Sequence, residues 1–155
     1  MIQANQNKTI GEITIRLISK EDAPVITHLS NLLGYPAAED EIKDRIESLL
    51  IDRDHILFAA VHSSGQIISW IQGTIRKLVI VPDHIEVGGL VVDTTNRGKG
   101  IGSRLLEAVE IWAINQGIST IYIRSNETRK IAHRFYLDRD YKMIKNSLTF
   151  RKELL

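Results

Sequence analysis

The pattern of apolar and polar residues in the first third of the chain predicts one strand followed by two helices. From Glu12 to Ile18 isoleucine or leucine alternates with polar residues, and a period of two is typical of a half-buried strand. Apolar residues then recur every three or four positions, which is the spacing along one face of an amphipathic helix. They are Ala23, Ile26, Leu29 and Leu33 in the first predicted helix and Ile42, Ile46, Leu49 and Leu50 in the second.

The middle of the chain predicts three strands. Two apolar runs, His55 to His62 and Ile67 to Lys77, are joined by a short polar turn and predict an antiparallel hairpin. Leu78 to His84 contains a Pro-Asp pair, which is typical of turns, and we expect a loop there. Ile85 to Val92 predicts the third strand, and the Gly88-Gly89 pair inside it indicates a bulge or a close approach to the backbone.

The last third of the chain alternates between helical and extended patterns. Apolar residues at helical spacing predict a long helix from Arg97 to Gly117, and Ile118 to Arg124 predicts a strand. Thr128 to Leu137 predicts a further helix, and Tyr141 to Lys152 predicts two short strands.

Together these elements predict the fold class and the number of domains. Interleaved helices and strands with a central hairpin indicate an α/β (α+β) fold, with a mixed, mostly antiparallel central sheet and helices on both faces. The chain of 155 residues contains no repeat, linker or low-complexity run. We therefore expect a single domain, preceded by a loose polar tail over residues 1–10.

Composition and charge exclude several classes of protein. With 20 Lys and Arg against 19 Asp and Glu, the formal net charge is +1, which gives no electrostatic reason to expect nucleic acid or a membrane as partner. The absence of cysteine excludes disulfides, cysteine zinc sites and a thiol nucleophile. The N-terminus lacks the layout of a signal peptide, and no apolar run is as long as a membrane span, so we expect a cytoplasmic protein.

A glycine-rich turn carries the strongest chemical signal. Arg97-Gly98-Lys99-Gly100-Ile101-Gly102-Ser103 follows an apolar strand and opens a helix. The first N–H groups of a helix lack intrahelical partners and lie at the positive end of its dipole, and glycines let a ligand approach them. This arrangement predicts a phosphate site with Arg97 and Lys99 at its edge.

Two common phosphate motifs do not fit this turn. A P-loop requires Gly-Lys-Ser/Thr, whereas Lys99 is followed by Gly100. A GxGxxG pattern counted from Gly98 has Ser103 in place of its last glycine. A glycine-rich helix start that binds nothing is the alternative, but glycines inside a helix cost up to about 1 kcal/mol each, which favours a binding role.

These residues carry a family resemblance. The segment Glu86 to Gly102 resembles the pyrophosphate-binding motif of the GNAT superfamily of acetyl-CoA-dependent N-acetyltransferases, and the predicted order of elements is similar to that fold. The resemblance covers Thr14 to Leu154 and implies that residues 1–155 form a single N-acetyltransferase domain. A second segment resembles the family's other CoA-contacting motif through Asn126, Ala132, Phe135-Tyr136 and Tyr141. Asp140 departs from that motif, which usually has glycine at this position.

The resemblance implies a site for acetyl-CoA as co-substrate, without a metal. The backbone of Leu90 to Val92 would pair with the pantetheine arm like an added strand. The pyrophosphate would lie on backbone N–H groups of the glycine-rich turn, and Asn126 would contact the cofactor from another side. The implied cofactor-binding residues are Leu90, Val91, Val92, Arg97, Gly98, Lys99, Gly100, Ile101, Gly102, Ser103, Asn126 and Tyr136.

Two residues are candidates for the chemistry of acetyl transfer. A lysine-like amine has a pKa of about 10.4, so a base must accept its proton. Glu86 stands four residues before Leu90, where several GNAT members carry a glutamate base, although a charge at the start of a strand is an alternative explanation. Tyr136 is the candidate acid, because a phenol can donate to the leaving thiolate, and packing in the core is its alternative.

We therefore predict an N-acetyltransferase that moves an acetyl group from acetyl-CoA to a primary amine of a small molecule or peptide. Without cysteine an acetyl-cysteine intermediate is excluded, which favours direct transfer in a ternary complex. The alternative is a GNAT-fold module that binds acyl-CoA without catalysis, as a sensor or partner subunit. The resemblance also implies a homodimer formed through the final strands. The five histidines show no metal-ligand spacing, and His84 is a candidate either for the acceptor cleft or for the core.

Overall fold

The computed structural model of the protein describes residues 12–155, so the predicted tail over residues 1–10 lies outside the described residues. The chain forms two compact units, one ending at Arg124 and the other spanning Ser125–Leu155. The first unit contains β1 (Ile13–Leu17), α1 (Ala23–Leu32), α2 (Glu39–Leu50), β2 (His55–His62), β3 (Ile67–Leu78), β4 (Val81–Val92), α3 (Ile101–Asn115) and β5 (Ile121–Ile123). The second unit contains α4 (Lys130–Leu137).

The five strands of the first unit form one sheet in the order β1-β2-β3-β4-β5. Neighbouring strands from β1 to β4 are antiparallel, and β5 pairs parallel to β4. Antiparallel neighbours can be joined by tight turns, whereas the parallel pair needs a crossover, which α3 supplies. The predicted mixed, mostly antiparallel sheet is confirmed.

Helices cover both faces of this sheet. Leu57 packs in a core cluster with residues of α1 and α2, including Ile26 and Ile46. Ile56 points to the opposite face, because successive side chains of a strand alternate. There a Cβ added at Gly73 would lie 3.1 Å from Val109 of α3 and 3.2 Å from Ile56. Gly73 thus lets α3 lie close against the sheet.

The junction between β1 and α1 is held by a tight ion pair. Arg16 donates to both carboxylate oxygens of Asp22, at 2.7 and 2.9 Å. The same carboxylate accepts the backbone N–H of Ser19 at 2.9 Å, as the capping-box spacing of these two residues predicts. Hydrogen bonding by Arg16 lowers the pKa of Asp22, because it favours the charged form.

The predicted loop over Leu78 to His84 is wrong. β3 continues to Leu78 and β4 already begins at Val81, so the two strands form a tight hairpin. The pairing is irregular between Arg76 and Leu78. Proline is tolerated in a strand at such an irregularity, because its missing N–H leaves no ladder bond broken. The Pro-Asp pair therefore marks an irregular strand and not a loop.

The two strands predicted within Tyr141 to Lys152 are also wrong, because this segment has no regular secondary structure. Its apolar side chains remain exposed, including Met143, Leu148 and Phe150. A strand forms where another backbone satisfies its N–H and C=O groups. Local alternation alone does not supply that partner.

Candidate cofactor and catalytic site

The candidate site is built around an irregularity in β4. Val87 pairs with Gly73 of β3 and Gly89 pairs with Gln72, so Gly88 is an extra residue in β4. On its other edge β4 pairs with β5 only over Ile85–Val87. A bulge bends its strand and increases the local twist. The bulge expected at the glycine pair is present, and within the described sheet the β5-side edge of β4 is unpaired beyond it.

The backbone of Leu90 faces this open edge. The N–H of Asp93 donates to the carbonyl of Ile68 at 2.8 Å, so alternate residues from Asp93 back along β4 bond to β3. Val92 and Leu90 lie between them and point their backbone groups away from β3. The carbonyl of Val92 accepts a hydrogen bond from Arg97 Nε at 3.1 Å. The N–H and C=O of Leu90 therefore point toward the edge of β4 that has no strand partner beyond Val87 in the described sheet.

A polar turn leads from β4 to α3. The Asp93 carboxylate accepts hydrogen bonds from the Thr95 hydroxyl at 2.9 Å and the Asn96 amide at 3.2 Å. Gly98 and Gly100 then adopt φ angles of 75° and 79°, a left-handed backbone that favours glycine. The helix consequently begins at Ile101 and not at Arg97 as predicted.

The start of α3 presents backbone donors to open space. The first bond of the helix runs from the N–H of Arg104 to the carbonyl of Gly100 at 3.2 Å, and the described residues provide no acceptor for the N–H groups of Gly98, Gly100 and Ile101. A Cβ added at Gly98 or Gly100 would meet no atom within 4 Å. Free donors at the positive end of a helix, with an open approach, fit a phosphate group.

Side chains around the turn differ in what they can offer a ligand. Arg97 and Lys99 are exposed and place positive charge beside the free N–H groups. Val91 and Ile101 belong to the core, with 4% and 3% of their surfaces exposed, so only their backbone can meet a cofactor. Gly102 and Ser103 lie in the first turn of α3.

Glu86 lies on β4 before the bulge, on the sheet face covered by α1 and α2. Its cross-strand partner is Thr74, which points away from the α3 face because it follows Gly73. The Glu86 side chain is 23% exposed, and its Oε2 lies 3.4 Å from Arg124 Nε and 3.8 Å from Arg76 Nε. A partly covered carboxylate just before the open edge of β4 can accept a proton from a bound amine.

The sheet surface next to Glu86 is polar. Thr74 Oγ1 lies 3.0 Å from His55 Nδ1, and the Gln72 amide nitrogen lies 3.4 Å from the same atom. His55 Nε2 lies 3.4 Å from an oxygen of Asp52. The part-buried side chains of Gln72, Thr74 and His55 are thus hydrogen-bonded to one another beside the candidate base.

His84 belongs to the core. It is 3% exposed, its Nδ1 lies 3.0 Å from the carbonyl oxygen of Pro82, and its ring packs edge-on against Tyr122 at 4.6 Å. Of the two alternatives drawn from the sequence, the structure agrees with the packed histidine.

The second unit carries Asn126 and Tyr136. Asn126 Oδ1 accepts hydrogen bonds from the Thr128 N–H at 3.0 Å and hydroxyl at 2.8 Å, so its side-chain NH₂ is the group left for a ligand. Tyr136, on α4, packs edge-on against Phe135 and Tyr141 at 5.3 and 6.1 Å. Burial raises the pKa of Tyr136, which keeps the phenol protonated at neutral pH.

Asp140 adopts the backbone conformation that glycine would favour at this position. Its φ is 64°, in the left-handed region where aspartate is tolerated better than most residues. The N–H of Tyr141 donates to the carbonyl of Tyr136 at 3.2 Å, which closes the turn after α4. The departure from the family pattern thus leaves this backbone turn in place.

Sequence reasoning missed the two arginines beside Glu86. Arg76 lies near the end of β3 and Arg124 directly after β5, so they are far apart in the sequence. Arg76 lies two positions from Thr74, the residue opposite Glu86, in the β3–β4 pairing that the predicted loop had left out. No local pattern marks Arg124.

Residues 12–155 contain neither a candidate metal cluster nor a candidate membrane span. Among them no group of three or more His, Cys, Asp or Glu side chains could hold a metal ion. No helix in this part of the chain is long and apolar enough to cross a membrane.

A sheet that opens at a bulge in β4, next to a glycine-rich helix start, is the architecture of an acetyltransferase fold. The acetyltransferase (GNAT) family model matches residues 23–141. An uncharacterised N-acetyltransferase of Bacillus subtilis (strain 168), YhdJ, is 31% identical over 129 residues, which cover 80% of this chain and 87% of that protein. The chain belongs to the GNAT acetyltransferase family and is an acyltransferase of that type.

Solved structures share the fold at low sequence identity. The aminoglycoside 6'-N-acetyltransferase AAC(6')-Ih of Acinetobacter baumannii is 21% identical, with a TM-score of 0.81 over 92% of this chain and 99% of its own. The structure of AAC(6')-Iy with the bisubstrate analogue CoA-S-monomethyl-acetylneamine is 19% identical, also with a TM-score of 0.81 and the same coverage of both chains. A GNAT acetyltransferase of Staphylococcus aureus is 22% identical, with a TM-score of 0.70 over 92% of this chain and 99% of its own.

Proposed function

We propose that this protein transfers the acetyl group of acetyl-CoA to a primary amine by direct attack in a ternary complex. One observation carries the proposal. The bulge at Gly88 leaves the backbone of Leu90 unpaired toward β5, and the same strand leads into the free N–H groups at the start of α3. An extended arm ending in a pyrophosphate matches this succession of strand edge and anion site.

The proposed cofactor contacts follow from this geometry. Backbone groups of Leu90 to Val92 take the pantetheine arm, and backbone N–H groups between Gly98 and Ser103 take the pyrophosphate. Arg97 and Lys99 add charge that attracts the phosphates. Asn126 and Tyr136 are also proposed as cofactor contacts, because they match the second family motif. AAC(6')-Iy, which has this fold, was solved with a CoA-containing bisubstrate analogue, and this supports the choice of CoA.

The proposed chemistry assigns one proton transfer to each of two residues. Acetyl-CoA supplies the acetyl group as a thioester. The neutral acceptor nitrogen attacks the thioester carbonyl carbon, a C–N bond forms and the C–S bond breaks. Glu86 accepts the proton that the nitrogen loses, directly or through a water molecule, and Tyr136 donates a proton to the departing thiolate. The phenol of Tyr136 carries its proton at neutral pH because the ordinary pKa of tyrosine, about 10, lies well above neutrality, and burial raises the pKa of Tyr136 further.

The acceptor is proposed as an amine of a small molecule or peptide. Acetyltransferases of this fold include enzymes named for aminoglycosides, and the partly exposed Glu86 carboxylate is open to a ligand that approaches the sheet. We also propose that residues 1–155 act as a single cytoplasmic acetyltransferase domain, because the family match runs across both compact units. A homodimer remains part of the proposal from the family resemblance.

Two measurements test the proposal. Calorimetry of the intact protein with CoA should show binding in the micromolar range that is typical of a substrate. Release of CoA from acetyl-CoA should then depend on an added amine from a panel of amino acids, polyamines, aminoglycosides and peptides. Absence of CoA binding by the folded protein contradicts the proposal. CoA binding without amine-dependent release from any member of the panel favours the non-catalytic module.

A further inference from the structure

Two arginines lie on either side of Glu86 along the sheet. Arg76 pairs with His84, two residues before Glu86, whereas Arg124 follows Ile123, whose partner is Val87. Both side chains are well exposed, at 48% and 67%, while the carboxylate between them is at 23%. The candidate base is therefore bordered by a cationic group toward the start of β4 and by another toward the bulge.

Glu86 contacts only the Nε atom of each guanidinium group. Each approaches the carboxylate most closely through Nε, at 3.8 and 3.4 Å, and the described residues make no hydrogen bond to the Nη groups of Arg76 or Arg124. Arg16 shows the contrast, since both of its Nη groups bind Asp22, at 2.7 and 2.9 Å. The Nη pair is the part of the side chain that binds a carboxylate or phosphate with two parallel bonds.

Two other acidic groups, Asp52 and Asp54, have partners other than Arg76 and Arg124. The Asp52 carboxylate lies 3.4 Å from His55 Nε2, and Asp54 lies 3.4 Å from Lys77 Nζ. Lys77 lines a cavity together with Ile75 and Gln116, at the end of α3, and so lies on the α3 face of the sheet, opposite Arg76. The immediate surroundings of Glu86 thus hold two positive side chains and one negative one. Such a surface repels a polycation and attracts an oxyanion.

We propose that the acceptor carries an oxyanion beside its amine, and that the Nη groups of Arg76 and Arg124 bind this oxyanion while Glu86 faces the amine. The inference rests on the proposed function, because it assigns a substrate class to the same site. The shared chemistry is that of an amino acid or peptide carboxylate and of a phosphorylated amine. Aminoglycosides, which are polycations, fit this surface poorly.

Calorimetry of the CoA-saturated protein tests the proposal without requiring turnover. One arm compares free amino acids and a dipeptide with their C-terminal amides. A second arm compares an amino-sugar phosphate with the unphosphorylated amino sugar, and a third uses spermidine and an aminoglycoside. We expect the anionic member of at least one pair to bind about tenfold or more tightly than its uncharged counterpart. The arm in which this preference appears identifies the source of the oxyanion.

Variants connect that preference to the two side chains. Arg76→Gln or Arg124→Gln should reduce the binding of the anionic amine about tenfold and leave its uncharged counterpart within about threefold. Arg→Lys at the same position should retain part of the preference, because the charge remains while the planar fork is lost. Lys77→Gln removes the same charge from the other face of the sheet and should change neither affinity.

Three results would overturn the inference. The first is equal affinity for the anionic and the uncharged amine of every pair, and the second is no binding of any anionic amine. The third is a preference for the anionic amine that survives in both Arg→Gln variants. Each can occur while CoA still binds and is still released in the presence of some other amine. The oxyanion subsite can therefore fail while the proposed function stands, whereas loss of CoA binding by the wild-type protein contradicts both.

Discussion

The two halves of β4 differ in the groups that they leave open to a ligand. The first half, Val81–Val87, pairs with β3, and its last three residues also pair with β5, so the backbone of Glu86 is occupied on both edges and Glu86 offers only its side chain. Beyond Gly88, the strand is paired only with β3 in the described sheet, and the backbone of Leu90 becomes the exposed feature. The first half offers a carboxylate and the second offers hydrogen-bonding backbone.

One inserted residue separates these two halves. Without the extra residue at Gly88, β4 could continue its pairing with β5, and the edge that we assign to the pantetheine arm would be closed. The same insertion lies close to Glu86 in the chain, so the candidate base stands directly before the opening. The comparison teaches that one bulge can put a candidate catalytic side chain and an unpaired stretch of backbone on neighbouring segments of the same strand.

The largest expected effect concerns the side chain of the first half. Glu86→Gln should lower kcat/KM for amine acetylation by about 100-fold or more, because the amide cannot accept the proton. The affinity for CoA, measured by calorimetry, should stay unchanged. Asp54→Asn is the matched control, since that carboxylate pairs with Lys77. If Glu86→Gln keeps full activity, β4 has no division between catalytic and binding halves.

The second prediction concerns the backbone beyond the strand. Gly100→Ala adds a Cβ in the space proposed for pyrophosphate and strains a residue with φ of 79°. We expect CoA affinity to fall about tenfold to 100-fold, as for loss of one or more charge-assisted bonds. Gly117→Ala imposes similar strain at the other end of α3, where φ is 73°, and should lose stability alone. Equal CoA affinity in both variants would contradict the assignment of the pyrophosphate to the start of α3.

A third prediction separates the two glycines at the division of β4. An added Cβ at Gly89 would lie 2.7 Å from the Trp70 ring, whereas at Gly88 the nearest atom is 3.9 Å away. Gly89→Ala should therefore cost about 1–3 kcal/mol of unfolding free energy, as overpacking does. Gly88→Ala should stay within about 0.5 kcal/mol. Denaturant unfolding measures both free energies. Equal losses of stability in the two variants would show that the Trp70 ring can accommodate a Cβ at Gly89.

The smallest expected effect concerns Asp140, whose left-handed backbone should matter for stability alone. Asp140 has φ of 64°, and glycine adopts this conformation without the steric cost that a Cβ brings. Asp140→Gly should raise the unfolding free energy by about 0.5 kcal/mol, since the greater freedom of glycine in the unfolded chain offsets part of the gain. Asp140→Val is the opposing control and should be destabilising. A loss of stability in the glycine variant would count against strain at this turn.

Local patterns were sufficient for most of the helices and strands. The alternation in β1 and the apolar runs of the β2–β3 hairpin are visible in short windows, because each side chain's burial follows from its own strand period. The glycine-rich turn was also visible, since positive φ and close approach both require glycine. These features depend on residues that are neighbours in the chain.

Predictions failed where the outcome depended on a distant partner. The segment from Leu78 to His84 contains a turn signal, yet pairing between β3 and β4 extends the hairpin through Pro82. Tyr141 to Lys152 alternates like a strand but forms no regular secondary structure. In both cases the backbone hydrogen bonds of a second segment decide the structure, and no local window contains that information.

The amino-acid sequence by itself determined the order of elements from β1 to α4, the glycine-rich start of α3 and the family resemblance, because all three rest on residue types at short spacing. Tertiary structure alone decided that Gly88 is the bulged residue, that Trp70 occupies the space over Gly89, and that Arg76 and Arg124 border Glu86. These facts depend on strand register, which is set by the packing of the whole sheet. The immediate surroundings of the candidate base were therefore beyond the reach of local patterns.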